Sequence, residues 1–314
     1  MKFTKTAVAV AIAGIAAAAP MIVSADTTLS GVVELTLQGS DVDATDEDPL
    51  AGDLRVGTGD VLFGIVAEHE LNSGLTGYGS LRVDLDRLSN AGAVDIENGP
   101  GEDDDVTVGS VGTSDAVYAG IKGGFGDIRI GEIPLSVEYG QVANDIYDVG
   151  SEINGGLSYV GNFGPVGLIA NYSPEPNSDA VGLGAKFALG GFSIGLGAED
   201  RAEQQNIAGG ISFAFAGASI AAHFWSKEEA EGGTNGDLES MSVKVGYGFG
   251  GVTADLTVST LEDDGATDEN AIRLDLGYAL GGGTLLSSRI TQFNNDNDDS
   301  AEFLEYRVML AKSF

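Results

Sequence analysis

The chain of 314 residues carries 48 acidic against 15 basic side chains and two histidines, a formal net charge of −33. So acidic a surface repels nucleic-acid phosphates, which removes nucleic acid from the partners to consider. There is no cysteine, hence no disulfide framework and no thiolate chemistry, yet 43% of the residues are hydrophobic, too many for a disordered chain.

The N-terminus points to the compartment. Lys2 and Lys5 precede an unbroken run of apolar and small residues over 7–19, and Val23-Ser24-Ala25 has the small-x-small pattern that a signal peptidase reads. The apolar core is too short to favour a membrane-spanning helix. Residues 1–25 are therefore expected to be a cleaved signal peptide and 26–314 one mature domain. Removing the two leader lysines takes the net charge from −33 to −35.

After residue 25 no apolar run reaches helix-spanning length; the pattern is period two instead. Residues 64–71 and 74–79 form a first hairpin-like pair, and 118–126 with 128–131 a second. An acidic stretch follows over 132–154. Further along, Met241, Val243, Val245, Tyr247 and Phe249 alternate with small or charged residues. The same alternation holds for Val252, Ala254, Leu256 and Val258, and for Ile272, Leu274, Leu276, Tyr278 and Leu280. Such alternation means strands with one apolar and one polar face, which no helix can present.

The connections are sorted. Seven are short and nearly all carry glycine: 71–74, 123–126, 162–165, 189–191, 215–217, 248–251 and 280–283. Eight are polar and mostly acidic: 40–53, 89–114, 134–154, 173–178, 200–204, 227–236, 262–268 and 294–300. The two kinds alternate, which predicts an all-β fold: 16 antiparallel strands, tight periplasmic turns on one rim and longer acidic extracellular loops on the other. A secreted sandwich or solenoid has no reason to sort its connections so strictly. A transmembrane β-barrel does, because lipid offers no partner to an open sheet edge. The expected place is the bacterial outer membrane, with its lipid as a partner.

The last residues, Glu302-Phe303-Leu304-Glu305-Tyr306-Arg307-Val308-Met309-Leu310-Ala311-Lys312-Ser313-Phe314, alternate and end on an aromatic. This strand resembles the C-terminal signal of the general trimeric porins of Gram-negative bacteria, which implies recognition by the barrel assembly machinery through Tyr306 and Phe314. The stretches 64–79 and 118–131 are similar to the second and third strands of that family and to the hairpin before its constriction loop. The resemblance implies a homotrimer. It also implies that 132–154 is the loop that folds into the lumen and narrows it. Gly131-Glu132 departs from the Gly-Arg common in the family, so the selectivity of its best-known members does not carry over.

Two constellations follow. Glu132, Glu138, Asp145, Asp148 and Glu152 form a candidate acidic collar on that loop, where a carboxylate would favour cations. Strand alternation turns Arg82, Arg129, Lys244, Arg273, Arg289 and Arg307 inward with Asp84, Asp255 and Asp275, a candidate lumen wall. This wall either faces the acidic loop as a transverse field or only pairs its own charges across strands. The acidic runs around 41–48, 102–105, 262–264 and 296–299 lack metal-loop spacing, so no metal and no cofactor is expected. His69 and His223 fall on different strands and no nucleophile elbow occurs, so no catalysis is expected either. The resulting expectation is a passive pore for small ions and hydrophilic solutes that prefers cations. The alternatives are a substrate-selective channel, or a poorly conducting structural or adhesive barrel.

Overall fold

The computed structural model describes residues 26–41, 54–71, 74–84, 114–143, 146–147, 153–174, 179–201, 204–229, 237–263, 268–295 and 302–314. The leader, the acidic runs at 102–105 and 296–299, most of that at 41–48, and the collar residues Asp145, Asp148 and Glu152 lie outside the described residues. Sixteen strands occur. They are β1 (Asp26–Ser40), β2 (Arg55–Leu71), β3 (Leu75–Asp84), β4 (Ser114–Gly123), β5 (Gly126–Ile133), β6 (Ile153–Phe163), β7 (Val166–Ser173) and β8 (Ala180–Leu189). Then follow β9 (Phe192–Arg201), β10 (Gln204–Phe215), β11 (Ala218–Glu229), β12 (Leu238–Phe249), β13 (Val252–Asp263), β14 (Glu269–Gly281), β15 (Thr284–Asn295) and β16 (Phe303–Ser313). Each pairs antiparallel with its neighbours in sequence, and β1 pairs with β16, from Val32↔Ser313 to Ser40↔Glu305, to close the ring.

The expected 16-stranded barrel with sorted connections is what forms. Closure follows from the backbone: every strand edge finds a partner, as a lipid environment requires. The alternation decides which face points where. Leu183, Leu196, Ile211, Val243, Leu256, Leu274 and Leu310 are exposed on the outer face, with aromatics such as Phe213, Phe249 and Tyr278 beside them. An apolar outside is the inverse of a soluble sandwich and the arrangement a bilayer stabilises.

On the short-turn rim the chain reverses in two residues. Gly250-Gly251 (φ 55° and 85°), Ala216-Gly217 (51° and 85°) and Gly282-Gly283 (58° and 75°) each place two positive φ angles in a row, the turn whose twist matches a hairpin. Successive turns are stitched together: the N–H of Gly248 donates to the carbonyl of Gly217, and that of Ala279 to Gly251. At the seam Phe314 exchanges two backbone hydrogen bonds with Gly31, both 3.1 Å, and its ring covers that glycine. Lys312 shares the outer face with Leu310 and Phe314; its ammonium group hydrogen-bonds the carbonyls of Gly282 and Ser313 at the rim.

Candidate functional site

After β5 the chain does not rise out of the barrel. Pro134 and Leu135 lead into a single 3-10 turn, Ser136–Tyr139, which packs on the inner face of β7, β8, β9 and β10. Its seat is made by absence of side chains. Gly182 and Gly184 on β8, Gly195 and Gly197 on β9 and Gly210 on β10 all point inward there. A Cβ on Gly184 would stand 2.6 Å from the Ser136 carbonyl oxygen, and one on Gly197 2.6 Å from the Cα of Val137. Only glycine lets two backbones approach so closely.

Apolar and polar contacts then fix the turn. Leu135 and Val137 are fully buried and join Ile133, Ile153, Ala180, Ala208 and Trp225 in a hydrophobic cluster between loop and wall. Glu199, only 2% exposed, accepts the N–H of Ser136 at 3.1 Å through one carboxylate oxygen and the Nε–H of Arg201 at 2.7 Å through the other. It caps a 3-10 turn that has no side-chain cap of its own. The Asn171 amide donates to the Pro134 carbonyl at 2.5 Å, and the Trp225 indole N–H to the Tyr147 carbonyl at 3.1 Å. Trp225, which alternation alone would offer to the lumen, is instead buried beneath the loop.

The loop leaves polar groups facing the pore. Glu138 is exposed and Glu132 half-buried, both with polar partners. Burial pushes the Tyr139 phenol above its ordinary value, opposed by the nearby Arg129 charge. It therefore presents a neutral hydroxyl at physiological pH.

The wall residues read from alternation lie at strand positions between exposed apolar ones, and several pair with one another. Lys244 reaches Asp255 across β12 and β13 at 2.9 Å. Asp275 bridges Arg273 on its own strand (2.9 Å) and Arg289 on β15 (2.6 Å). Arg129 pairs with Asp127 at 2.8 Å, and the Tyr78 hydroxyl donates to the same carboxylate at 2.7 Å. Arg82 and Asp84 on β3 sit opposite Gly64 and Leu62 of β2, and Arg307 on β16 sits opposite Arg289. Lys122, which the sequence reading did not select, joins Glu68 at 2.5 Å. Also unselected were the glycine seat and Glu199. The seat had a signal: glycine at alternate positions on two successive strands, 182 and 184, then 195 and 197.

A model of the Gram-negative porin family matches residues 6–298. The chain belongs to this family. No curated protein matches it. Among solved structures, the porin is similar to the anion-selective porin from Comamonas acidovorans at 17% identity and TM-score 0.69, covering 93% of this chain and all of that one. It is also similar to OmpT of Vibrio cholerae in its trimer form, at 14% identity and TM-score 0.68, with 93% of this chain and all of that one covered. A triple mutant of the Rhodopseudomonas blastica porin aligns at 16% identity and TM-score 0.65, over 92% of this chain and its own full length. These likenesses are of fold. Family and fold together make this an outer-membrane porin, a β-barrel channel.

Proposed function

We propose that this porin is a general diffusion channel that prefers cations, assembles as a homotrimer and loses residues 1–25 on export. The observation that carries the cation preference is the charge layout around the inward turn. Lys122, Arg129, Lys244, Arg273 and Arg289 each lie within 2.5–2.9 Å of a wall carboxylate, the last two sharing Asp275, so local pairing offsets part of the wall's positive charge. The loop seated inside the lumen exposes Glu138, and its stretch from 130 to 185 holds no Lys or Arg. A carboxylate in a narrow passage lowers the energy of a cation there and raises that of an anion.

The Comamonas relative is named for the opposite selectivity, but at 17% identity its charge layout is its own. Reversal potential in a tenfold KCl gradient is the direct test. The sign expected is that of K⁺ passing more readily than Cl⁻, and a potential of the chloride sign sinks the reading. The homotrimer is supported by the family and by the trimer form named for the Vibrio neighbour. The mature protein should run as a heat-resistant oligomer in mild detergent, and crosslinking in membranes that yields monomers alone would count against it. We further infer that the terminal strand, with Tyr306 and Phe314 on its lipid face, is what the assembly machinery engages.

A further inference from the structure

The outer face of β9 to β13 carries a groove of about 730 Å³ whose lining is almost wholly apolar. Its axis follows one cross-strand row. Leu196 is opposite Gly209, Gly209 opposite Phe224, Phe224 opposite Met241, and Met241 opposite Thr260. Two small residues make the floor. A Cβ on Gly209 would stand 2.7 Å from the Phe224 ring, so its absence lets that ring lie flat on the sheet. Ala222, one row lower, is the other, between the exposed side chains of Ile211 and Val243.

The row runs obliquely through the membrane. Leu196 is four residues from the short-turn end of β9 at Phe192, whereas Thr260 is eight from that of β13 at Val252. The groove therefore climbs toward the loop rim as it passes from β9 to β13. Five strands spaced about 4.8 Å apart give it a length of ~19 Å. With strands tilted by about 35–45° it descends ~11–13 Å, close to the ~15 Å of hydrocarbon in one leaflet. Beyond its upper end, two residues past Met241 and Thr260, Glu239 and Glu262 are exposed and directly opposite each other. Like charges so placed destabilise a sheet, and a cation between them relieves it. No described Lys or Arg of β9 to β13 faces outward: Arg201, Lys227 and Lys244 share the parity of Glu199, Asn206 and Asp255 on the inner face.

We propose that this groove is a lipid site: it seats one acyl chain of an outer-leaflet lipid whose amine-bearing head group pairs with Glu239 and Glu262. The chain enters at β13, crosses the Phe224 ring and ends near Leu196. The Thr260 hydroxyl stands at the upper end of the row, where the ester joining head and chain falls. Hydrocarbon is what an apolar groove on a bilayer-facing wall accepts. The carboxylates above it select the head group, since they attract an ammonium and repel a bare phosphate. A protein partner would have to bury both carboxylates, whereas a lipid amine meets them at the water interface.

The site rests on the barrel in its membrane, not on ion selectivity. Delipidated mature porin in detergent, free of divalent ions, is titrated with phosphatidylethanolamine or phosphatidylglycerol of identical myristoyl chains and read by native mass spectrometry. One ethanolamine lipid per chain should be retained in preference to the glycerol lipid. Ala222→Phe fills the floor on a face that already meets lipid. It should weaken retention about tenfold, the cost of losing contact with roughly two methylenes. Ala170→Phe, an equal addition on the outer face of β7, should not. Glu239→Gln with Glu262→Gln should abolish the preference for ethanolamine, and these exposed rim changes test the site even if Ala222→Phe does not assemble. Equal retention by the wild type and Ala222→Phe overturns the groove as the seat. Equal retention of both lipids by the wild type, or a preference for the glycerol lipid once Mg²⁺ is added, overturns the amine head group. An oligomer that Ala222→Phe splits into monomers would place a second copy of this chain in the groove and overturn the lipid site.

Discussion

Glu199 joins two parts of the molecule through one carboxylate. It sits inside the wall of β9, yet the N–H it accepts belongs to Ser136, 63 residues earlier. Removing the acceptor leaves a buried donor without a partner, at a cost of about 1–3 kcal/mol to the seated turn. Glu199→Ala is therefore expected to give a noisier single-channel current with excursions to higher conductance. Glu199→Gln keeps an acceptor for Ser136 and should restore most of the steady level. Equal noise in both variants would mean that the carboxylate does not position the turn. Ala216 is a second single-residue case: it is the one non-glycine described with positive φ, at 51°. A left-handed conformation costs an L-residue about 1–2 kcal/mol, so Ala216→Gly should slow thermal unfolding without altering conductance. Neither residue is legible as special in the sequence, because the cost and the contact both depend on what the chain does elsewhere.

At the scale of elements, β8, β9 and β10 do two jobs with one alternation. Their outward positions are apolar for lipid; their inward positions are shaved to glycine where the turn is seated. Gly184→Val would place its Cβ 2.6 Å from the Ser136 carbonyl oxygen and 2.8 Å from the Cβ of Tyr139. The outward face of β8 is untouched by that change, so the barrel should still assemble. The turn should lift from the wall, and solute exclusion measured by liposome swelling should shift. An unchanged exclusion limit together with unchanged conductance would show that the turn does not define the narrowest cross-section. The strands themselves were legible, since period two survives any sequence that must present one face to lipid and one to water. The seat was only half legible: the glycine spacing is visible, but what it makes room for is not.

At the scale of the whole molecule the deciding quantity is charge against screening. At about 0.1 M salt the Debye length is ~10 Å, so loops and lumen wall all contribute to selectivity. Near 1 M it falls to ~3 Å, and only groups lining the constriction still act on a passing ion. Replacing Glu138→Gln, Asp145→Asn and Asp148→Asn together should move the reversal potential toward zero at both salts while the folded oligomer remains. If cation preference survives the triple change at both salts, it resides in the outer loops or the wall.

Strand number, the sorting of turns from loops, the outward apolar face and the inward set of Arg82, Arg129, Lys244, Arg273, Arg289 and Arg307 were all determined by the sequence alone. Each is a local property: a side chain's face follows from its parity along the strand, and a turn from its glycines. Partnership was decided only by the tertiary structure. Asp275 could have paired with either strand beside it, and it bridges Arg273 and Arg289 because β14 and β15 register there. Arg289, Arg307 and Arg55 became one row only when β16 closed onto β1. Trp225 passed from lumen to core because a loop from the other side of the ring folded over it. Register, ring closure and loop burial join residues far apart along the chain, and no local pattern encodes which distant residue arrives opposite which.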